Sequence, residues 1–319
     1  MHSFSELVTL FETRLNNTLP FPLAPATLYE PCTYFMSIGG KRVRPVICLM
    51  ANELFGDITE DAYRAAMGVE LFHNFTLIHD DIMDKAPLRR GKTTLHTRNG
   101  LTAGILCGDV MAIYAYEQLA YIKTSLPQVL HLFNRTSIEV CEGQQLDMDF
   151  ETRSDVTIDE YIYMITLKTS VLLACSLKMG ALLGGATQGN ADKLYEFGKN
   201  LGIAFQLQDD YLDAYGADSG KIPGGDIIAN KKTYLLLKAM ENANELQLTA
   251  INALLQRNDD SKVPAMLSLY TNTGADIACR EAVAHYSQLA FNNLEEAAVQ
   301  NSRKKHLHDL AVFLLGREK

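Results

Sequence analysis

The chain contains no tryptophan and no apolar run approaching the about 20 residues that cross a bilayer, so no membrane-spanning segment is predicted. Basic residues are in deficit, 29 Lys and Arg against 38 Asp and Glu. The net charge of -9 argues against a nucleic-acid partner and leaves room only for a local basic patch. The six cysteines, Cys32, Cys48, Cys107, Cys141, Cys175 and Cys279, lack the paired spacing of zinc or redox sites and read as buried free thiols of a reducing compartment. No stretch rich in Pro, Ser or Gly divides the chain, so residues 1–319 are expected to form one domain. The segment MHSFSELVTLFETRLNN carries Glu6 and Glu12 inside its apolar pattern, unlike a signal peptide, and the expected location is cytoplasmic. What is present, 47 % hydrophobic and 21 % charged residues, is the composition of a globular protein able to bury a large core.

Nearly every segment repeats its apolar residues every three or four positions, and none shows a convincing strand alternation. An all-α fold of about ten or more helices is predicted. The stretches 102–121 and 168–186 are apolar on most sides and are expected at the centre. Residues 216–232, GADSGKIPGGDIIANKK, hold four glycines and a proline that forbid a continuous helix, and a long loop in a compact helical domain is usually functional or disordered.

The stretch LIHDDIMDKAPLRRGKTTLH, residues 77–96, places Asp80, Asp81 and Asp84 at the end of an apolar helix. At spacings of three and four their carboxylates share a side and repel. A helix C-terminus is also the wrong end for anions, so a positive partner is expected there. The same spacing recurs in FQLQDDYLD as Asp209, Asp210 and Asp213. Each copy is followed by bases: Arg89, Arg90 and Lys92 after the first, Lys221, Lys231 and Lys232 after the second. Carboxylates without His or Cys companions suit magnesium, which keeps waters and is completed by substrate phosphates. Lysines and arginines would hold the same phosphates. A magnesium diphosphate bound between two facing helices is therefore expected. SIGGKRVRP, residues 37–45, adds Lys41, Arg42 and Arg44 behind two glycines that allow close backbone approach.

With these stretches in place, the chain resembles the trans-isoprenyl diphosphate synthases (polyprenyl synthetases) over essentially its whole length. GGKRVRP, HNFTLIHDDIMDKAPLRRGKTTLH, EGQQLDMDF, LKT, FQLQDDYLD and GGDIIANKKTYL occur in the family's order. The resemblance implies an all-α homodimeric enzyme that joins isopentenyl diphosphate to an allylic diphosphate, with magnesium, three ions per site when substrate is bound. Carried over by resemblance, Asp80, Asp81 and Asp84 match the first metal motif, with Asp80 and Asp84 as direct ligands. Asp209, Asp210 and Asp213 match the second, chiefly through Asp209. Arg89, Lys168, Lys221 and Lys231 fall where the family contacts the allylic diphosphate, and Lys41, Arg44, His73 and Arg90 where it binds isopentenyl diphosphate. Thr169 and Gln206 match positions beside the reacting carbons, and Gln144 and Asp147 line the same cavity. The segment holding Lys221 differs in length among family members. His79 and His96 receive no role.

The implied chemistry is ionisation of the allylic carbon–oxygen bond, attack by the neighbouring double bond in a dry cavity, and loss of a proton to the departing diphosphate. In the family, residues before the first motif form the floor of the product tunnel; here they are Phe72, Phe75 and Thr76. Phe75 lies about 7.5 Å and Phe72 about 12 Å along the helix from Asp80. Phe75 also lies about 140° from Asp80 on an ideal wheel, so it is the resemblance that places it in the tunnel. Bulk there implies a fifteen- or twenty-carbon product. A terpene cyclase and a non-catalytic regulatory homologue are the alternatives. A cyclase has no use for the Lys41, Arg44, His73 and Arg90 pocket, and a regulatory homologue no use for two complete aspartate motifs.

Overall fold

A computed structural model describes residues 1–216 and 224–316. The chain divides into two compact units. The first comprises Met1–Phe133, Cys175–Asp192 and Val299–Leu307; the second comprises Asn134–Ala174, Lys193–Ala298 and His308–Lys319.

The fold is all-α, as the periodicity predicts. The helices are α1 (Phe4–Asn17), α2 (Ala26–Ser37), α3 (Val43–Glu53), α4 (Glu60–Met83), α5 (Leu95–Asn99), α6 (Leu101–Ala120), α7 (Leu126–Thr152) and α8 (Ile158–Ile165). They continue as α9 (Val171–Leu183), α10 (Gln188–Tyr215), α11 (Gly225–Ile228), α12 (Tyr234–Asn242), α13 (Glu245–Leu255), α14 (Lys262–Asn272), α15 (Ala275–Glu296) and α16 (Asn301–Leu315). One departure is a minimal antiparallel hairpin, β1 (Leu88–Arg89) with β2 (Lys92–Thr93). With one residue pair beyond the turn-closing pair it is too short to leave an alternation in the sequence. A second departure is a π-helical turn, Thr166–Ser170, set between α8 and α9 in a stretch whose periodicity predicts one continuous helix. A third is the division of 232–256 into α12 and α13. Asn244 caps α13, accepting from Gln247 N at 2.9 Å while Gln247 reaches back to Asn244 N, and this local box outcompetes continuation of α12.

In the first unit, α4 lies along α6. Glycines permit the close approach: a Cβ on Gly68 would stand 3.1 Å from Ala115 O, and one on Gly104 2.9 Å from the end of Ile82. Thr59 caps α4 by accepting from Ala62 N at 3.1 Å. Asp61, in the first turn, accepts from Lys123 N, Thr124 N and the Thr124 hydroxyl, fixing the segment that follows α6. The second half of α9 crosses α3 so closely that a Cβ on Gly180 would meet Cys48 O at 1.9 Å.

In the second unit, α8, α10, α12, α13, α14 and α15 enclose a core containing Leu207, Leu235, Ile251, Met266, Tyr270 and Cys279. The apolar stretch Ile158–Leu183 is long enough to cross a membrane by composition, yet 72 % of its apolar window is buried inside the protein.

Two expectations need correction. Helix α6 is not central: Ile105, Leu106, Ile113 and Tyr116 are exposed, Ile113 at 67 %. Its apolar character serves two faces, and only one is covered by α2 and α4. The cysteines are free, as expected, but Cys141 is exposed while the other five are buried.

Candidate active site

In the first unit, Asp80 and Asp81 occupy the last turn of α4 and Asp84 is its C-cap. The three carboxylates are not equivalent. Asp81 is 1 % exposed and turns inward, where Arg89 Nε donates to its Oδ1 at 2.8 Å. Its Oδ2 is buried without a hydrogen-bond partner. Burial pushes the Asp81 carboxyl above its ordinary range, with the Arg89 charge opposing the rise. Asp80 is half-buried and Asp84 exposed, so these two carboxylates are accessible to a ligand.

Arg89 is aimed by the hairpin. Its turn residues Arg90 and Gly91 have φ of 51° and 73°, the pair of positive values of a type I′ connection, with glycine at the second position. The turn lays the Arg90 guanidinium on the glycine loop before α3. A Cβ on Gly40 would stand 2.6 Å from Arg90 Nη1 and displace the guanidinium, and its φ of 151° disfavours any side chain there. Arg44 Nη1 meets His73 Nε2 at 3.3 Å. Burial, then the charges of Arg44 and Arg90, hold the His73 imidazole well below its ordinary range. Its Nε2 therefore accepts from Arg44 and its Nδ1 carries the hydrogen. Burial pushes Arg44 down to about 10 and lowers Arg90 as well. Glu70, held by Arg42 Nη1 and by Asn74 Nδ2, offsets part of this positive charge and raises both Arg44 and Arg90 against the effect of burial. A cluster of cations around a neutral imidazole is suited to a multiply charged anion such as a diphosphate. Lys41 is exposed at its edge.

In the second unit the pattern repeats on α10. Asp210, the middle carboxylate, is 4 % exposed, accepts from the Tyr161 hydroxyl and from Tyr234 N, and lies 3.4 Å from Gln206 Nε2. Burial pushes it up to about 7, although the Tyr161 hydrogen bond pulls the other way. Asp209 and Asp213 are half-buried, and Asp213 accepts from Asp226 N at 2.8 Å.

The π-turn supplies the neighbouring groups. It is pressed between α7 and α10, where a Cβ on Gly143 would lie 2.3 Å from Lys168 N and one on Gly202 2.6 Å from Ser170 Cα. Lys168 Nζ donates to Asp147, and the Thr169 hydroxyl donates to Gln206 Oε1 at 3.3 Å. These residues, with Asp210 and Lys231, line a solvent-open cleft. Lys231 Nζ is 3.9 Å from Asp226, and Gln144 is half-buried on α7. Lys221 lies outside the described residues.

Among the described residues no three His, Cys, Asp or Glu side chains form a group that could hold a metal ion by themselves. Accessible carboxylates without nitrogen or sulfur partners fit a hard cation that takes water and phosphate oxygens for the rest of its shell, which is the chemistry of magnesium. Before the first motif, Phe72 is buried, while Phe75 and Thr76 are half-buried. Three groups were missed in the sequence reading: Tyr161, Asp226 and the Glu70–Asn74 pair. Tyr161 in EYIYMI has no mark separating it from a core tyrosine, and Asp226 stands in an irregular stretch without periodicity.

The sequence profile of the polyprenyl synthetase family matches residues 25–272. A geranylgeranyl diphosphate synthase of Methanosarcina mazei is 43 % identical over 229 residues, 70 % of this chain and 71 % of that one. One of Saccharolobus solfataricus is 38 % identical over 331 residues, covering 99 % and 97 %. A crystal structure of a geranylgeranyl pyrophosphate synthase superposes with a TM-score of 0.95 at 44 % identity, covering all of both chains.

Proposed function

The chain belongs to the polyprenyl synthetase family of short-chain trans-prenyltransferases, and we propose that it condenses isopentenyl diphosphate with an allylic diphosphate and releases a twenty-carbon product, geranylgeranyl diphosphate. The observation that carries this reading is the repeated division of labour in the aspartate motifs of a chain that matches such synthases end to end. In both, the middle carboxylate is buried as a structural anchor and the flanking ones are accessible.

In this reading Asp80 and Asp84 in the first unit would supply carboxylates to magnesium bound with the allylic diphosphate, and Asp209 and Asp213 in the second would supply carboxylates to magnesium by the same chemistry. Bound magnesium would neutralise the diphosphate and make it a better leaving group. Arg89, Lys168, Lys221 and Lys231 bind the same diphosphate and stabilise charge as the carbon–oxygen bond ionises. Lys41, Arg44, His73 and Arg90 bind isopentenyl diphosphate. The neutral His73 accepts from Arg44 and so holds that guanidinium without competing for phosphate. Gln144, Asp147, Thr169 and Gln206 line the cavity in which the double bond attacks. Asp147 holds Lys168 until substrate replaces it. The proton that restores the alkene leaves with the diphosphate, so no side-chain nucleophile is needed.

Phe72, Phe75 and Thr76 form the tunnel floor. The bulk of Phe75 supports a product of fifteen or twenty carbons, and relatives named for the twenty-carbon product support the longer of the two. The family profile runs through both units, which supports 1–319 acting as one functional domain. The exposed apolar face of α6 supports a homodimer in which a second copy covers it. The free thiols support a cytoplasmic location.

The test is incubation of purified protein with magnesium, isopentenyl diphosphate and each allylic starter, reading pyrophosphate release and product mass. Release coupled to a twenty-carbon diphosphate is expected. A fifteen-carbon end product would overturn the length assignment. Hydrocarbon formed without isopentenyl diphosphate would overturn the reaction.

A further inference from the structure

We propose that Gly108 sets the product length by seating His79 against α6, where the imidazole holds the Phe75 ring in place. The inference rests on the reading of Phe75 as tunnel floor. Phe72, Phe75 and His79 follow one another along a single stripe of α4. Their rings meet edge to face, Phe72 to Phe75 at 5.3 Å and Phe75 to His79 at 4.8 Å. One end of this ladder is anchored, since Phe72 is 3 % exposed and packs on Phe133, which in turn packs on Tyr116. At the other end Phe75 is braced by His79.

The position of His79 depends on an absence. Its Nε2 faces Ile105 O at 3.2 Å and lies 3.8 Å from the Asp109 carboxylate. That place exists because residue 108 has no side chain: a Cβ there would stand 2.2 Å from Nε2 and 2.4 Å from Cδ2. The obstructed atoms are the far end of a side chain, so an added methyl expels the imidazole while the helices keep their places. His79 then leaves both Ile105 O and the Phe75 ring. Freed on that side, Phe75 can rotate and admit one more five-carbon unit. Gly108 is thus a specificity-determining residue that acts at a distance, through its packing on His79 and the His79–Phe75 ring contact, on a reaction it does not touch.

The experiment compares the parent enzyme with Phe75→Ala, His79→Ala, Gly108→Ala and the Gly108→Ala/His79→Ala double variant. Each is given magnesium, isopentenyl diphosphate and a ten-carbon allylic starter. Products are measured by mass, and thermal melts check folding. Phe75→Ala is expected to lengthen the product. His79→Ala and Gly108→Ala should each raise the fraction one unit longer by about threefold, the scale of a lost edge-on aromatic contact. The double variant should match His79→Ala alone, since the added methyl then meets nothing. If Phe75→Ala lengthens the product while His79→Ala and Gly108→Ala leave it at the parent length, this inference fails and the tunnel-floor reading survives. An unchanged product from Phe75→Ala overturns both. A double variant clearly longer than His79→Ala shows that Gly108 works by another route and overturns the proposal. Should Gly108→Ala not fold, His79→Ala decides alone: parental products overturn the proposal.

Discussion

Gly143 stands so close to Lys168 that a Cβ on the glycine would lie 2.3 Å from the lysine's backbone nitrogen and 2.7 Å from its Cα. The obstruction is backbone, which cannot swing aside as a side chain can. α7 therefore holds the π-turn in place, and with it the directions of Lys168 and Thr169. Such turns inside α-helical stretches are frequent at functional sites because they re-aim consecutive side chains.

Gly143→Ala is accordingly expected to destabilise the protein by about 1–3 kcal/mol, the range for overpacking a filled interior. It should also lower turnover at temperatures where the variant is fully folded, because the π-turn must shift. Thermal unfolding together with kcat at low temperature checks this. Parental stability would mean that α7 and the turn can separate freely.

Asp80, Asp81, Asp209 and Asp210 should separate into two kinds. Asp80→Ala and Asp209→Ala should each reduce turnover by about a hundredfold or more while leaving the melting temperature near the parent value. Asp81→Ala and Asp210→Ala strip acceptors from Arg89, and from Tyr161 and Tyr234 N, and should each cost about 1–3 kcal/mol in stability besides. Near-parental activity in the first pair would remove the magnesium assignment.

Substrate-specific kinetics should divide the basic residues. Arg44→Ala is expected to raise KM for isopentenyl diphosphate by about tenfold to a hundredfold, the scale of one charged hydrogen bond, with a smaller effect on the allylic substrate. Lys168→Ala should show the opposite preference. Steady-state kinetics with each substrate varied in turn would expose a wrong assignment as equal effects on both.

Asp61 offers a pH test. Burial raises its carboxyl, but hydrogen bonds from the Thr124 hydroxyl and the Thr124 and Lys123 amides outweigh that, so the folded state lowers its pKa from 3.8. A lowered carboxylate contributes stability that is present above the unfolded pKa and lost as pH falls through the folded one. Asp61→Ala should cost about 1–2 kcal/mol near pH 7, and the gap between parent and variant should narrow as the pH falls below about 3.8. Denaturant melts across that range check it; a gap independent of pH would mean the charge contributes nothing.

Much of this protein was legible in the sequence because its signals are local. Periodicity gave the helices, since a 3.6-residue repeat survives in any single amphipathic segment. The spacing of Asp80, Asp81 and Asp84, repeated at 209–213, announced two carboxylate clusters by itself. What no local pattern carries is which member of each triplet turns inward. That was decided by Arg89 reaching Asp81 from a two-residue hairpin and by Tyr161 reaching Asp210 from α8, contacts between residues eight and forty-nine positions apart. The same holds for Gly108 and Gly143, which read as unremarkable helix glycines. Their meaning lies in the neighbouring side chain or backbone that fills the space of a missing Cβ, and only packing in three dimensions brings that neighbour there.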